Sequence, residues 1–211
     1  MILGQISYLD CMVFVIFLAP QLLFNVNIFL LLFCFLRALP FFWGDSAGAT
    51  LILTLLLHIA TKADFSNRKP GFATLISPWT TLFSSQNRNT ASDFLDSNSL
   101  HMYGRQYAGS EERLHDPLIS PGACKDGSLW AKASPSNGFG VIFGSEELLG
   151  PELRDLIALW RKSGCAVSMR EEPGAIHAWP VATLFLSNTQ AERQKGLKDL
   201  VKMIRQSIDI E

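Results

Sequence analysis

The chain has 211 residues, of which 48% are hydrophobic and 18% charged, and its formal net charge is -1 at pH 7. That length accommodates one domain with a substantial core, and that composition excludes a disordered chain. The near-neutral balance gives no electrostatic reason to expect nucleic acid as a partner. Cys11, Cys34, Cys124 and Cys165 are scattered, with no C-x-x-C pair and no Cys/His cluster, so neither a metal site nor a redox motif is expected.

Residues 1–37 stand apart as an apolar N-terminal segment. Asp10 is the only charged residue before Arg37, and Cys11 to Leu36 is interrupted only by Pro20, Gln21, Asn25 and Asn27. A helix crossing a bilayer needs about 20 predominantly apolar residues, so this window is long enough for a membrane anchor. Two buried strands or helices separated around Pro20 are the alternative. A cleaved signal peptide fits poorly, because no Lys or Arg precedes the apolar run.

Residues 38–211 read as alternating strands and helices, the pattern of a mostly parallel sheet with helices on both faces. Ala38 to Trp43 is a short apolar strand candidate, and Ala49 to Thr61 has a Leu- and Ala-rich helical composition. Phe72 to Ile76 is the next strand, closed by Ser77-Pro78. Around residues 80–137 the periodicity is poor, and an insertion or lid with short helices of its own is expected. Gly140 to Gly144 reads as a buried strand. Pro151 to Lys162 is an amphipathic helix with Leu153, Leu156, Ile157 and Trp160 on one face, ended by Gly164. Ala166 to Arg170 is a further strand, followed by a loop around His177. Gln190 to Ile208 closes the chain as a helix with Leu197, Leu200, Val201 and Ile204 at helical spacing.

Chemistry concentrates at three points. Gly44-Asp45-Ser46-Ala47-Gly48 matches G-x-S-x-G between a predicted strand and a predicted helix, the context a nucleophile elbow requires. There the serine sits on a strained turn near a helix N-terminus, and the backbone N–H of Ala47 is placed to donate to an oxyanion. A serine hydroxyl needs a base within reach. Of four histidines, His58 lies inside a helix, His101 and His115 fall in the irregular middle, and His177 sits on the loop after the last strand. His177 is therefore the candidate base. The acid that would orient it belongs between the two in the chain, after the strand ending at Phe143. Glu147 is favoured there, with Glu146 as the alternative. Asp116, before Pro117, reads as a turn residue, and Asp45 as structural.

Taken with Ile76-Ser77-Pro78-Trp79 and Asp116-Pro117-Leu118-Ile119-Ser120-Pro121, these motifs resemble the hormone-sensitive-lipase-like branch of the α/β-hydrolases. The likeness is strongest to fungal steryl acetyl hydrolase and arylacetamide deacetylase-like esterases. It implies an α/β-hydrolase fold and a serine carboxylic-ester hydrolase with no cofactor and no metal. Its substrate would be a short acyl ester of a lipophilic alcohol, cleaved by Ser46, His177 and Glu147 (or Glu146) with Ala47 at the oxyanion. That branch carries a His-Gly-Gly-Gly loop before the elbow, and residues 1–43 contain no such loop. The expectation is thus a fold incomplete at its N-terminus, with the loop missing or replaced and catalysis impaired. A weak or inactive remnant serving as a binding or membrane-tethered protein is the competing expectation. Location is expected either at a membrane, that of the endoplasmic reticulum included, or in the cytoplasm.

Overall fold

The computed structural model describes residues 41–63 and 69–208. The apolar segment 1–37, with Cys11 and Cys34, lies outside the described residues. Within them the chain runs β1 (Phe41–Asp45), α1 (Ser46–Thr61), β2 (Phe72–Ile76), α2 (Ser97–Ala108), α3 (Gly127–Ala133), β3 (Phe139–Gly144), α4 (Gly150–Lys162), β4 (Val167–Glu172), α5 (Trp179–Leu186) and α6 (Gln190–Ile208). Short 3-10 turns at Glu112–His115 and Pro121–Ala123 punctuate the stretch between α2 and α3.

The four strands form one parallel sheet in the order β1-β2-β3-β4. Parallel neighbours need crossovers, and the intervening helices supply them, covering both faces. Strand alternation then divides the core in two. Phe42, Ala73, Leu75, Phe139, Val141 and Phe143 pack with α1, α3 and α4 on one face. Ile76 and Ile142 point to the other, against Trp179 of α5 and Leu200 of α6. The first face is anchored by aromatics: Phe139 stacks on Trp160 at 4.2 Å between ring centroids, and Trp130 meets Trp160 edge-on at 5.2 Å. Such pairs contribute about 0.5–1.5 kcal/mol each beyond the area they bury.

Helix boundaries follow local chemistry. Asp96 caps α2 by accepting the Ser99 N–H at 2.8 Å, and Gly109 at φ 78° ends it. Pro151 occupies the first turn of α4, whose predicted face of Leu153, Leu156, Ile157 and Trp160 is fully buried. Gly164, at φ 81°, lets the chain leave toward β4.

Some elements depart from the sequence expectation. α1 opens at the elbow, Ser46, rather than at Ala49, so the turn runs straight into the helix. The loop expected around His177 gives way at Trp179 to α5, whose eight residues, Trp-Pro-Val-Ala-Thr-Leu-Phe-Leu, show no polar face from which a helical period can be read. On α6, Val201 is exposed while Met203 is buried in its stead, its sulfur lying where a Cβ on Gly140 would come within 2.7 Å.

The stretch from Ser77 to Asp126 carries its own small core: Trp79, Leu82, Leu100, Ala108, Leu114 and Ile119 close over Leu148 and Leu149. Those two leucines follow Glu147 directly. The irregular region thus lies on the carboxyl end of β3, where α/β sheets present their ligand sites.

Candidate active site

The carboxyl ends of β1, β3 and β4 each deliver one of the sequence-predicted residues. β1 stops at Asp45, and Ser46 takes φ 47°, a left-handed conformation uncommon outside glycine. Small neighbours make that turn feasible. A Cβ on Gly44 would lie 2.8 Å from Ile52 Cδ1 and 2.9 Å from the Gly48 carbonyl carbon, so only glycine fits where α1 folds back onto the strand. The Ser46 carbonyl accepts the Trp79 N–H at 3.2 Å, which ties the elbow to the strand end of β2. Ala47 is exposed beside it, at the open N-terminus of α1 where unpaired N–H groups favour an anion.

His177 reaches Ser46 across 131 residues of sequence: Nε2 lies 3.0 Å from Ser46 Oγ. The ring is buried, with 4% of the side chain exposed, so its orientation is decided by protein groups rather than water. On its other side Nδ1 faces Glu147 Oε2 at 3.4 Å. The Glu147 side chain is wholly buried, and neither of its oxygens finds a hydrogen bond of good geometry among the described residues. A desolvated carboxylate without donors is costly unless a cation forms beside it, and His177 is the group placed to become that cation. The separation is longer than the roughly 2.7–2.9 Å of a mature charge-assisted bond, and such contacts commonly tighten only when substrate is bound.

Glu146 points elsewhere. It is exposed and accepts the Ser145 hydroxyl at 3.1 Å. The remaining histidines also lie apart: His58 sits in the last turn of α1, while His101 lies tilted against the Phe83 ring at 4.3 Å between centroids, with Nε2 3.1 Å from the Ser84 carbonyl oxygen. His115 meets the Phe83 ring edge-on at 6.4 Å. Asp116 organises a turn, its Oδ1 accepting the Leu118 N–H at 2.9 Å. Asp45 makes no side-chain cap to α1. Cys124 and Cys165 are buried free thiols, and burial raises the pKa of both above the ordinary thiol value.

Residues that sequence reading passed over complete the surroundings. Ser77 (φ 42°) and Ala178 (φ 52°) share the left-handed conformation of Ser46, and the Ser77 hydroxyl accepts the Ala178 N–H at 2.9 Å. Asp93 accepts the His177 N–H at 3.2 Å, and the exposed Phe94 sets its ring edge-on to His177 at 5.8 Å between centroids. Ser77-Pro78 marked a strand end in the sequence, but no local signal singled out Asp93 or Phe94. Strained backbone gathers at functional sites because surrounding structure must over-determine it, and here all three strained non-glycine residues described belong to this one locus.

Comparison with known proteins agrees with this architecture. No curated protein sequence matches the chain. Among solved structures, carboxyl esterase 2 from the mycorrhizal fungus Tuber melanosporum superposes with a TM-score of 0.61 at 18% identity, covering 77% of this chain and 52% of that one. The hormone-sensitive lipase homologue EstE7 from a metagenome library gives 0.59 at 21%, with 80% and 54% covered. The Francisella virulence factor BioJ gives 0.60 at 18%, with 78% and 52% covered. The chain spans about half the length of these structures, and at such identities the likeness is one of fold. Residues 38–181 match the family described as the alpha/beta hydrolase fold. With a parallel sheet, helices on both faces and most of its length within that match, the chain belongs to the alpha/beta hydrolase fold family.

Proposed function

We propose that the protein is a serine carboxylic-ester hydrolase in which Ser46, His177 and Glu147 act together. The observation that carries this reading is the 3.0 Å approach of His177 Nε2 to the hydroxyl of a serine held at φ 47° on a strand-to-helix turn. His177 removes the Ser46 proton as Oγ attacks the ester carbonyl, and the new oxyanion faces the Ala47 N–H. Collapse expels the alcohol, which takes the proton from His177. Water, deprotonated by the same imidazole, then releases the acid and restores Ser46. Glu147 holds the tautomer and stabilises the imidazolium. This chemistry calls for no metal or cofactor.

Short acyl esters of lipophilic alcohols are the substrates this reading favours, as in steryl acetyl hydrolase and arylacetamide deacetylase-like esterases. The apolar ring of Phe94 beside His177 supports a lipophilic leaving group. A fluorophosphonate probe should label the full chain at Ser46, and Ser46→Ala should abolish the signal. Labelling that survives that substitution would remove Ser46 from the reading.

A second reading is a weak or inactive hydrolase-fold protein that binds rather than turns over. It is favoured by the unbonded 3.4 Å spacing between Glu147 and His177, and by the lack of a His-Gly-Gly-Gly motif in residues 1–43. Loss of one oxyanion donor lowers turnover by about 10²–10³-fold. Labelling of Ser46 without measurable hydrolysis of p-nitrophenyl acetate would favour this second reading.

A further inference from the structure

We propose that Asp93 is a positioning residue that holds the acid-bearing and base-bearing loops in register, an inference that rests on the ester-hydrolase reading above. Asp93 lies in the connection between β2 and α2, 84 residues from His177 and 55 from Leu148 in sequence. Its carboxylate nonetheless reaches both. Oδ1 accepts the backbone N–H of His177 at 3.2 Å, and Oδ2 accepts that of Leu148, the residue after Glu147, at 2.9 Å.

The two loops are already joined near their bases, where Glu146 N–H donates to the Ala175 carbonyl at 3.0 Å and Gly174 N–H donates to Ser145 Oγ at 2.8 Å. Those bonds stop one residue short of Glu147 and two short of His177, the functional ends. The side chains at those ends do not hold each other, since Glu147 and His177 stand 3.4 Å apart without a hydrogen bond of good geometry. Asp93 bridges the ends instead. Charge-assisted bonds from a carboxylate to backbone N–H are roughly twice as strong as neutral ones.

Asp93 is itself anchored. Its N–H donates to Thr90 Oγ1 at 3.1 Å, and the Thr90 hydroxyl donates to the Glu146 carbonyl at 3.0 Å. Its Oδ1 also accepts the N–H of Phe94 at 2.9 Å, which fixes the carboxylate plane and sets the Phe94 ring against His177. A displacement of about 1 Å between reacting groups lowers a rate by roughly a hundredfold, so a bridge at this point governs rate rather than binding.

The test uses the full chain with Asp93→Ala and Asp93→Asn. Two quantities are measured: the Ser46 phosphonylation rate at saturating fluorophosphonate with its half-saturation concentration, and the low-field proton resonance of His177 Nδ1–H. Asp93→Ala should lower the saturating rate at least about tenfold, leave half-saturation within about twofold, and shift or abolish the resonance. Asp93→Asn, which keeps one acceptor oxygen, should fall between. An unchanged rate and resonance would overturn the proposal. So would losses that merely track a loss of folded protein by circular dichroism in both variants, since Asp93 would then support the fold alone. If the parent chain takes no label, the ester-hydrolase reading fails, and the resonance alone decides: loss on Asp93→Ala sustains the bridge, persistence overturns it. A parent chain with neither label nor resonance overturns it too, because no aligned pair would exist to be positioned.

Discussion

At the scale of single residues, the two adjacent glutamates differ in everything except charge. The Glu147 carboxylate is wholly buried against His177 Nδ1, whereas Glu146 is exposed and bonded to Ser145. A carboxylate taken out of water acts on its neighbour through a lower effective dielectric, while an exposed one is screened. Glu147→Gln keeps the volume and removes the charge, so Ser46 phosphonylation or ester turnover should fall by about 10⁴-fold with the fold retained. Glu146→Gln should change either by less than about tenfold, consistent with a surface site. The reverse order, measured by the same labelling kinetics, would move the acid role to Glu146. Burial makes this choice, and adjacent letters in a sequence carry no burial.

At the scale of elements, β4 and α6 are stitched by ionic contacts as well as by packing. Arg170 donates to Glu172 at 2.7 Å and pairs with Asp199 of α6 at 3.2 Å, and Lys195 of α6 pairs with Glu172. Partial burial opposes ionisation of Glu172, but hydrogen bonds from Lys195 and Arg170 outweigh it, and its pKa is lowered. A carboxylate with a lowered folded-state pKa contributes stability above the ordinary glutamate value of about 4.3, and loses it as pH falls through the folded value. Glu172→Gln should therefore destabilise the chain at pH 7 by about 1 kcal/mol or less, the scale of a partly exposed pair. The difference should vanish at a pH well below 4, as read from urea unfolding midpoints of the two proteins. A difference independent of pH would show that shape, not charge, matters there.

At the scale of the whole molecule, Ser46, Glu147 and His177 meet at the carboxyl end of the sheet, and the small core around Leu82, Leu100 and Leu148 lies over that end. Phe94, Phe185 and Leu186 remain largely exposed. Among the described residues no helix is long and apolar enough to cross a membrane. A proposal of membrane attachment therefore rests on residues 11–36, whose sequence is too apolar to stay in water. If they enter a bilayer, the full chain should remain in the pellet after carbonate washing, and its turnover of short p-nitrophenyl esters should be weak. A monodisperse soluble enzyme turning over at about 10 per second, the median for enzymes, would exclude the anchor.

Much of the fold was legible because its signals are local. Apolar runs bounded by turn residues mark β2 and β3, and a clean helical period marks α4. Glycines around Ser46 mark the elbow, and at Gly44 only glycine allows the helix to approach the strand so closely. The order of serine, acid and histidine along the chain likewise singles out Ser46, Glu147 or Glu146, and His177. Tertiary structure decided what depends on partners distant in sequence. It made a helix of Trp179–Leu186, which starts behind a left-handed Ala178 and buries Trp179 against Ile76 and Ile142, although that segment carries no period of its own. It brought His177 to Ser46 over 131 residues and left Glu146 in solvent. It also carried Asp93 from an irregular stretch to the junction of two loops. Hydrogen bonds of that kind leave no periodicity in a sequence, because their geometry exists only once the sheet has brought its strand ends together.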